Sequence, residues 1–185
     1  AKTRQLPLWQ LLGAKRQRIG VYASLVSYSN NPEQVAAKVL STYRAGFRAI
    51  KLHETAYPAI AAAREVLPAD AELRVDVNCP WRAEEAGQQA QALQHLGLGW
   101  LEEPVWPPDD IAGLVEVRKQ GTPIAAGENA AGVQGFVELF REAAIDVAQP
   151  SVSKVGGITA ILKVIALGKQ YKTRVFPHCF YYGAG

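Results

Sequence analysis

Short apolar runs alternate along this chain with longer segments whose apolar positions recur every three or four residues. The first kind reads as strands and the second as amphipathic helices. "RIGVYAS" (18–24) is strand-like and is followed by "NPEQVAAKVLSTYRAG" (31–46), whose Asn31, Pro32 and Glu33 supply an N-cap, a first-turn Pro and a first-turn acid. "FRAIKLH" (47–53) pairs with a helix over 57–67, and "ELRVDVN" (72–78) with an Ala- and Gln-rich helix over 83–97. Four further strands are expected over 98–104, 123–129, 145–150 and 173–178, with helices over 109–121, 133–143 and 158–171 between them.

Strand and helix therefore alternate about every 25 residues, the signature of a parallel sheet built from βα units. An open doubly wound sheet and a closed (β/α) barrel both fit that order. Two features prefer the barrel. No Gly-rich phosphate turn follows the first strand, and polar residues recur at nearly every strand end, where a barrel gathers its active site.

Composition narrows the class. With 185 residues, 49% hydrophobic and 20% charged, the chain has the make-up of a globular domain with a real core. The net charge of +3 is small and its single basic cluster, "AKRQR" (14–18), reads as a solvated loop, so no nucleic-acid partner is expected. No apolar run approaches a membrane span and the polar N-terminus is no signal peptide. Cys79 and Cys179 read as reduced thiols, which places the expected location in the cytoplasm. The sequence contains no Met, an initiator included, a hint that translation starts elsewhere.

The strand ends carry the chemistry. Lys51 and His53 close the second strand, Asp76 and Asn78 the third, Glu102 and Glu103 the fourth, Glu128 the fifth, Ser151 the sixth and His178 the seventh. Asp76, Glu102 and Glu128 recur at intervals of 26 residues, one βα unit apart, so a barrel sets them side by side. Converging carboxylates repel each other, and a divalent cation relieves them. A few hard oxygen ligands with open positions suit one Mg²⁺ ion. Neighbouring residues of a strand face opposite ways. Glu102 is therefore assigned to the metal and Glu103 to the barrel wall, in a structural ion pair.

At these residues the chain resembles a known family. "IKLH", "RVDVNCPW", "WLEEPVWPPD", "AAGEN", "AQPSVSKVGGIT" and "VFPHCF" together are similar to the enolase superfamily, in its mandelate racemase and muconate lactonizing branch. The resemblance implies a (β/α)₇β barrel of TIM type that binds one Mg²⁺ through Asp76, Glu102 and Glu128. It also implies removal of the proton α to a carboxylate, giving an enediolate whose charge the metal stabilises. Residues 1–17 then match the end of an N-terminal capping region, and 18–185 a partial barrel. The family has a capping domain before the barrel and an eighth strand after the seventh, so the expected natural chain is about twice as long. Homo-oligomers are common in the family.

Lys51 matches the first lysine of the family's Lys-x-Lys motif, usually placed to contact the substrate carboxylate. His53 stands where the second lysine, a common base, is found, and imidazole can do base work near neutral pH. Asn78 matches a polar residue near the metal and substrate. His178 matches the seventh-strand histidine base. The family orients that histidine with an aspartate, and this chain has Ser151 there instead. A hydroxyl fixes a tautomer but brings no charge, so His178 is expected to be a weaker base, suited to protonating a leaving hydroxyl. The expected function is a Mg²⁺-dependent dehydratase (hydro-lyase) of an acid sugar or related 2-hydroxy acid. The alternatives are a racemase or epimerase and, in another class, a non-catalytic metal-binding homologue.

Overall fold

The computed structural model describes residues 1–179. Seven parallel strands follow one another in the sheet in chain order, β1 to β7. They are β1 (Ala23–Ser24), β2 (Ala49–Leu52), β3 (Glu72–Asp76), β4 (Trp100–Glu102), β5 (Ile124–Ala126), β6 (Val147–Ala148) and β7 (Arg174–Val175). Leading into β1 is α1 (Leu8–Leu11), and the crossovers carry α2 (Pro32–Arg44), α3 (Tyr57–Val66), α4 (Ala83–Leu93), α5 (Ile111–Arg118) and α6 (Gly132–Arg141). Between β6 and β7 lie a one-turn α7 (Val152–Val155) and then α8 (Ile158–Gln170). The expected order of elements is met throughout, and Asn31 caps α2 as its sequence implies, its side chain accepting from the Gln34 amide at 3.0 Å.

The sheet curls. Tyr22, just before β1, and Phe176, just after β7, both pack on Trp100 of β4, with ring centroids 5.9 and 5.2 Å away. Side chains from the two ends of a seven-stranded sheet meet on its middle strand only when the sheet bends into a barrel wall. Trp100, Ala125 and Val147 fill the interior, and a second, larger core lies between the sheet and its helices. Strands buried on both faces explain why the apolar runs lack the alternation of a half-exposed strand.

Within that interior Arg74 is 5% exposed. Its guanidinium lies over Trp100 and Tyr22, 3.9 and 4.4 Å from the ring centroids, and its Nε donates to Glu72 at 2.8 Å. Stacking on aromatic faces lets a cation sit where water is scarce. The strands are shorter than the apolar runs that encode them. Ile19 and Val21 belong to the first run, yet are 78% and 70% exposed, because only Ala23 and Ser24 find ladder partners on β2.

Backbone geometry at the end of β5 matters most for the site. Gly127 has φ +124°, and a Cβ there would come within 2.6 Å of the Phe136 ring. The turn that carries the next residue, Glu128, needs a residue with no side chain. Gly127→Ala is expected to cost about 2 kcal/mol of stability, from strain and overpacking together. Equilibrium urea unfolding measures it, and an unchanged midpoint contradicts this account of the turn.

Candidate active site

The β3–β4 register places Asp76 directly opposite Glu102, so the first 26-residue interval is a register match. The second is not. Glu102 pairs with Ala125, and Glu128 lies three residues farther on, brought back over the barrel mouth by the turn at Gly127. One carboxylate oxygen of each of Asp76, Glu102 and Glu128 can be chosen so that all lie within 4.8 Å of one another. Asp76 and Glu102 are buried and Glu128 is half-buried.

Lys51, on β2, reaches into this cluster. Its Nζ donates to Asp76 Oδ2 at 2.8 Å and to Glu102 Oε1 at 2.6 Å. Burial works against its charge, but Glu102 and Asp76 outweigh burial and hold the ammonium protonated well beyond its usual range. Burial also pushes Asp76 up, yet His53 and Lys51 prevail and keep its carboxyl low. Glu102 goes the other way: burial, then the charge of Asp76, raises it despite Lys51. One ammonium thus leaves the buried pair short of positive charge, with Glu128 beside it. A hard divalent cation fits this oxygen donor set.

Two histidines stand at the rim. His53 Nδ1 donates to the Leu25 carbonyl at 2.5 Å, and its Nε2 faces Asp76 Oδ2 at 3.1 Å. A carboxylate on one nitrogen and a carbonyl on the other favour imidazolium; the hydrogen bond that His53 donates to Asp76 is the largest reason its pKa is raised, and burial opposes it. His178 Nδ1 lies 2.7 Å from Ser151 Oγ, and Nε2 lies 2.9 Å from Glu128 Oε2. That bond holds the Glu128 carboxyl below its ordinary range. Ser151 and His178 form a bridge that continues the β6–β7 pairing past the strand ends, which is how the hydroxyl comes to face the ring. A cavity of about 600 Å³ is lined by Lys51, His53, Asp76, Asn78, Glu128 and His178, among others.

Two expectations need correction. Glu103 does turn away from Glu102 and is buried, but it has no ion pair among the described residues. Its Oε1 accepts from the amides of Gly127 and Glu128 at 2.9 and 3.2 Å, and its Oε2 faces Cys79 Sγ at 3.5 Å. Left-handed φ of +46° at Glu103 and +124° at Gly127 turns these amides and the carboxylate toward each other, so backbone donors do the work expected of a cation. Asn78 is not on β3. It is exposed, has φ +56°, and its amide donates to Asp76 Oδ1 at 3.2 Å, so it reaches the cavity from a turn.

Sequence reasoning missed Glu54, which is 1% exposed. It accepts from the amides of Tyr28 and Asn30, while Asn30 Oδ1 takes the amides of Thr55 and Ala56, both at 2.8 Å. Successive left-handed residues Ser29 and Asn30 make an anion-binding nest filled by the protein's own carboxylate. The clamp fixes the loop that offers the Leu25 carbonyl to His53. Tyr22 and Ser24 also line the cavity, and the alternation in "VYAS" was the available signal for both.

Residues 34–185 match the family described as Enolase C-terminal domain-like. The chain is 32% identical over 178 residues to the 3,6-anhydro-alpha-L-galactonate cycloisomerase of Streptomyces coelicolor, covering 93% of this chain and 49% of that protein. It is 32% identical over 187 residues to the L-talarate/galactarate dehydratase of Salmonella typhimurium, covering 96% and 46% respectively. The crystal structure of a racemase from Streptomyces coelicolor A3(2) with bound magnesium superimposes with a TM-score of 0.87 at 31% identity, covering 95% of this chain and 54% of that one. The chain spans about half the length of the curated relatives it matches.

Burial and the neighbouring Glu103 push the Cys79 thiol up to about 12, whereas Cys179 is exposed. Thiolate is the reactive form, so iodoacetamide at pH 8 is expected to label Cys179 and spare Cys79. Peptide mass spectrometry reads the result, and equal labelling of both contradicts the local electrostatics described.

Proposed function

From the premise that the chain belongs to the Enolase C-terminal domain-like family, we propose that it removes the proton α to a carboxylate with one Mg²⁺ held by Asp76, Glu102 and Glu128. The observation that carries this reading is three carboxylate oxygens within 4.8 Å of one another with one ammonium, Lys51, bonded to two of the groups. When bound, the ion supplies Lewis acidity toward the charge that develops on the substrate carboxylate.

The chain's own residues do the proton work. Nδ1–H of His53 stays on the Leu25 carbonyl, which fixes the tautomer. Its Nε2, which faces Asp76 at 3.1 Å on the cavity, is the nitrogen placed to take the α-proton, and it would be free to do so where Asp76 served as a metal ligand. Lys51, buried and protonated, offers positive charge to the substrate carboxylate. His178, on the rim five strands away, is held between Ser151 and Glu128 and delivers a proton to a leaving β-hydroxyl. A base and a separate acid on one cavity suit dehydration of an acid sugar or related 2-hydroxy acid to a 2-keto acid.

A second reading, racemisation or epimerisation, has its support in the same pair of histidines, which line one cavity from just past β2 and from beyond β7. The proposal includes a small carboxylate as the partner, residues 1–17 as the end of a capping region before a barrel beginning at 18, a homo-oligomer, and a cytoplasmic location. Among the described residues no helix is long and apolar enough to cross a membrane.

The test is a screen of acid sugars and 2-hydroxy acids in D₂O with Mg²⁺, using the complete natural protein. The expected result is α-deuteration with formation of a 2-keto acid. His178→Ala is expected to keep α-deuteration and lose keto acid by about 10²-fold or more, while His53→Ala loses both. Deuteration with inversion and no keto acid favours racemisation, and no exchange across the panel overturns the enzymatic reading.

A further inference from the structure

We infer that Trp100 is a positioning residue for the cation site, and that its indole N–H sets the orientation in which Glu102 meets the ion. The inference rests on the reading of Asp76, Glu102 and Glu128 as ligands. Trp100 and Glu102 are two apart on β4, so their side chains share the inner face, and both are 0% exposed. Trp100 Nε1 donates to Glu102 Oε2 at 2.8 Å, while Lys51 Nζ holds the other oxygen at 2.6 Å. Each oxygen of the carboxylate has one donor, and together the two fix its plane before any ion arrives.

The indole is itself held. Arg74 lies over one face, 3.9 Å from the ring centroid, and Tyr22 and Phe176 meet the ring edge-to-face or nearly so. Arg74 is in register with Trp100 on one side and with Lys51 on the other. Its Nε is tied to Glu72 at 2.8 Å, and its Nη1 has no hydrogen-bond partner among the described residues. A guanidinium so placed has the ring faces as its surroundings, and the ring cannot turn its N–H away without losing that contact. Proton donors that orient a ligating carboxylate typically matter by 10- to 100-fold in metal affinity.

The experiment is a calorimetric Mg²⁺ titration of the complete natural protein, its Trp100→Phe variant and a Trp81→Phe control. Trp81 is 7% exposed and packs in the other core, between sheet and helices. Phe keeps a ring for Arg74 and removes only the donor. Trp100→Phe is expected to bind Mg²⁺ about tenfold more weakly, and Trp81→Phe to bind as the wild type does. Tryptophan emission gives a second readout that a merely structural role would not move. Ion binding draws charge from Glu102, so the wild-type spectrum is expected to change on Mg²⁺ addition and that of Trp100→Phe is not.

Wild-type affinity in Trp100→Phe, or an emission response that survives in it, overturns the inference and leaves the metal site standing. A wild type that binds no Mg²⁺ overturns both. Should Trp100→Phe fail to fold, the variant with every tryptophan but Trp100 changed to Phe, Trp9, Trp81 and Trp106 included, keeps Trp100 as its one indole. Its emission must then respond to Mg²⁺, and an unchanged spectrum overturns the inference.

Discussion

Asp76, Glu102 and Glu128 bring oxygens within 4.8 Å of one another at the mouth of the barrel, with Lys51 bonded to two of them. Buried like charges are among the costliest arrangements a protein can hold, and their cost is met only by opposite charge or by donors in good geometry. Much of the surrounding structure serves that need. Lys51 lies between two carboxylates, Trp100 donates to one, His53 to another and His178 to the third. The donors come from β2, β4 and β7 or their ends, so the site exists only once the sheet has curled.

The fold supplies placement rather than chemistry. Parallel pairing with short strands sets Asp76 against Glu102, and the turns that follow β1, β3, β4 and β5 hold residues at left-handed backbone angles. Those turns carry the finer positioning. Gly127 directs Glu128 back over the mouth, Glu103 at φ +46° accepts the amides of that same turn, and Glu54 closes a nest at Ser29 and Asn30. Two buried carboxylates, Glu54 and Glu103, therefore organise the loops and leave the acids of the mouth free to act together. That division answers why adjacent glutamates close β4: one joins the cluster of acids at the mouth and the other ties the neighbouring loop.

Much of this was legible in the sequence. The βα alternation, the three acids one unit apart and the histidine after β7 rest on periodicity and on the ends of apolar runs, while the facing of Ser151 and His178 came from the family resemblance. What escaped was set by angles that no apolar pattern encodes. Glu103 was assigned an ion pair because a buried carboxylate invites a cation, whereas left-handed turns brought it amides instead. Asn78 was placed on β3 because it stands two residues after Asp76, whereas the strand stops at Asp76. Arg74 gave no sign of its role, since an Arg inside an apolar strand looks like a misplaced charge until the rings of Tyr22, Trp100 and Phe176 are brought around it. Nor did the spacing of Glu128 reveal that it leaves the ladder; only the register of β4 with β5 does.

The central claim is that the acids form one cation site. Anomalous diffraction from crystals soaked in Mn²⁺, which shares the preference of Mg²⁺ for oxygen ligands, tests it most directly. The account predicts a single strong peak bonded to Asp76, Glu102 and Glu128, with Lys51 Nζ withdrawn from at least one of its two carboxylates. Absence of a peak at those residues in a well-soaked crystal, or a peak held by other side chains, would contradict it.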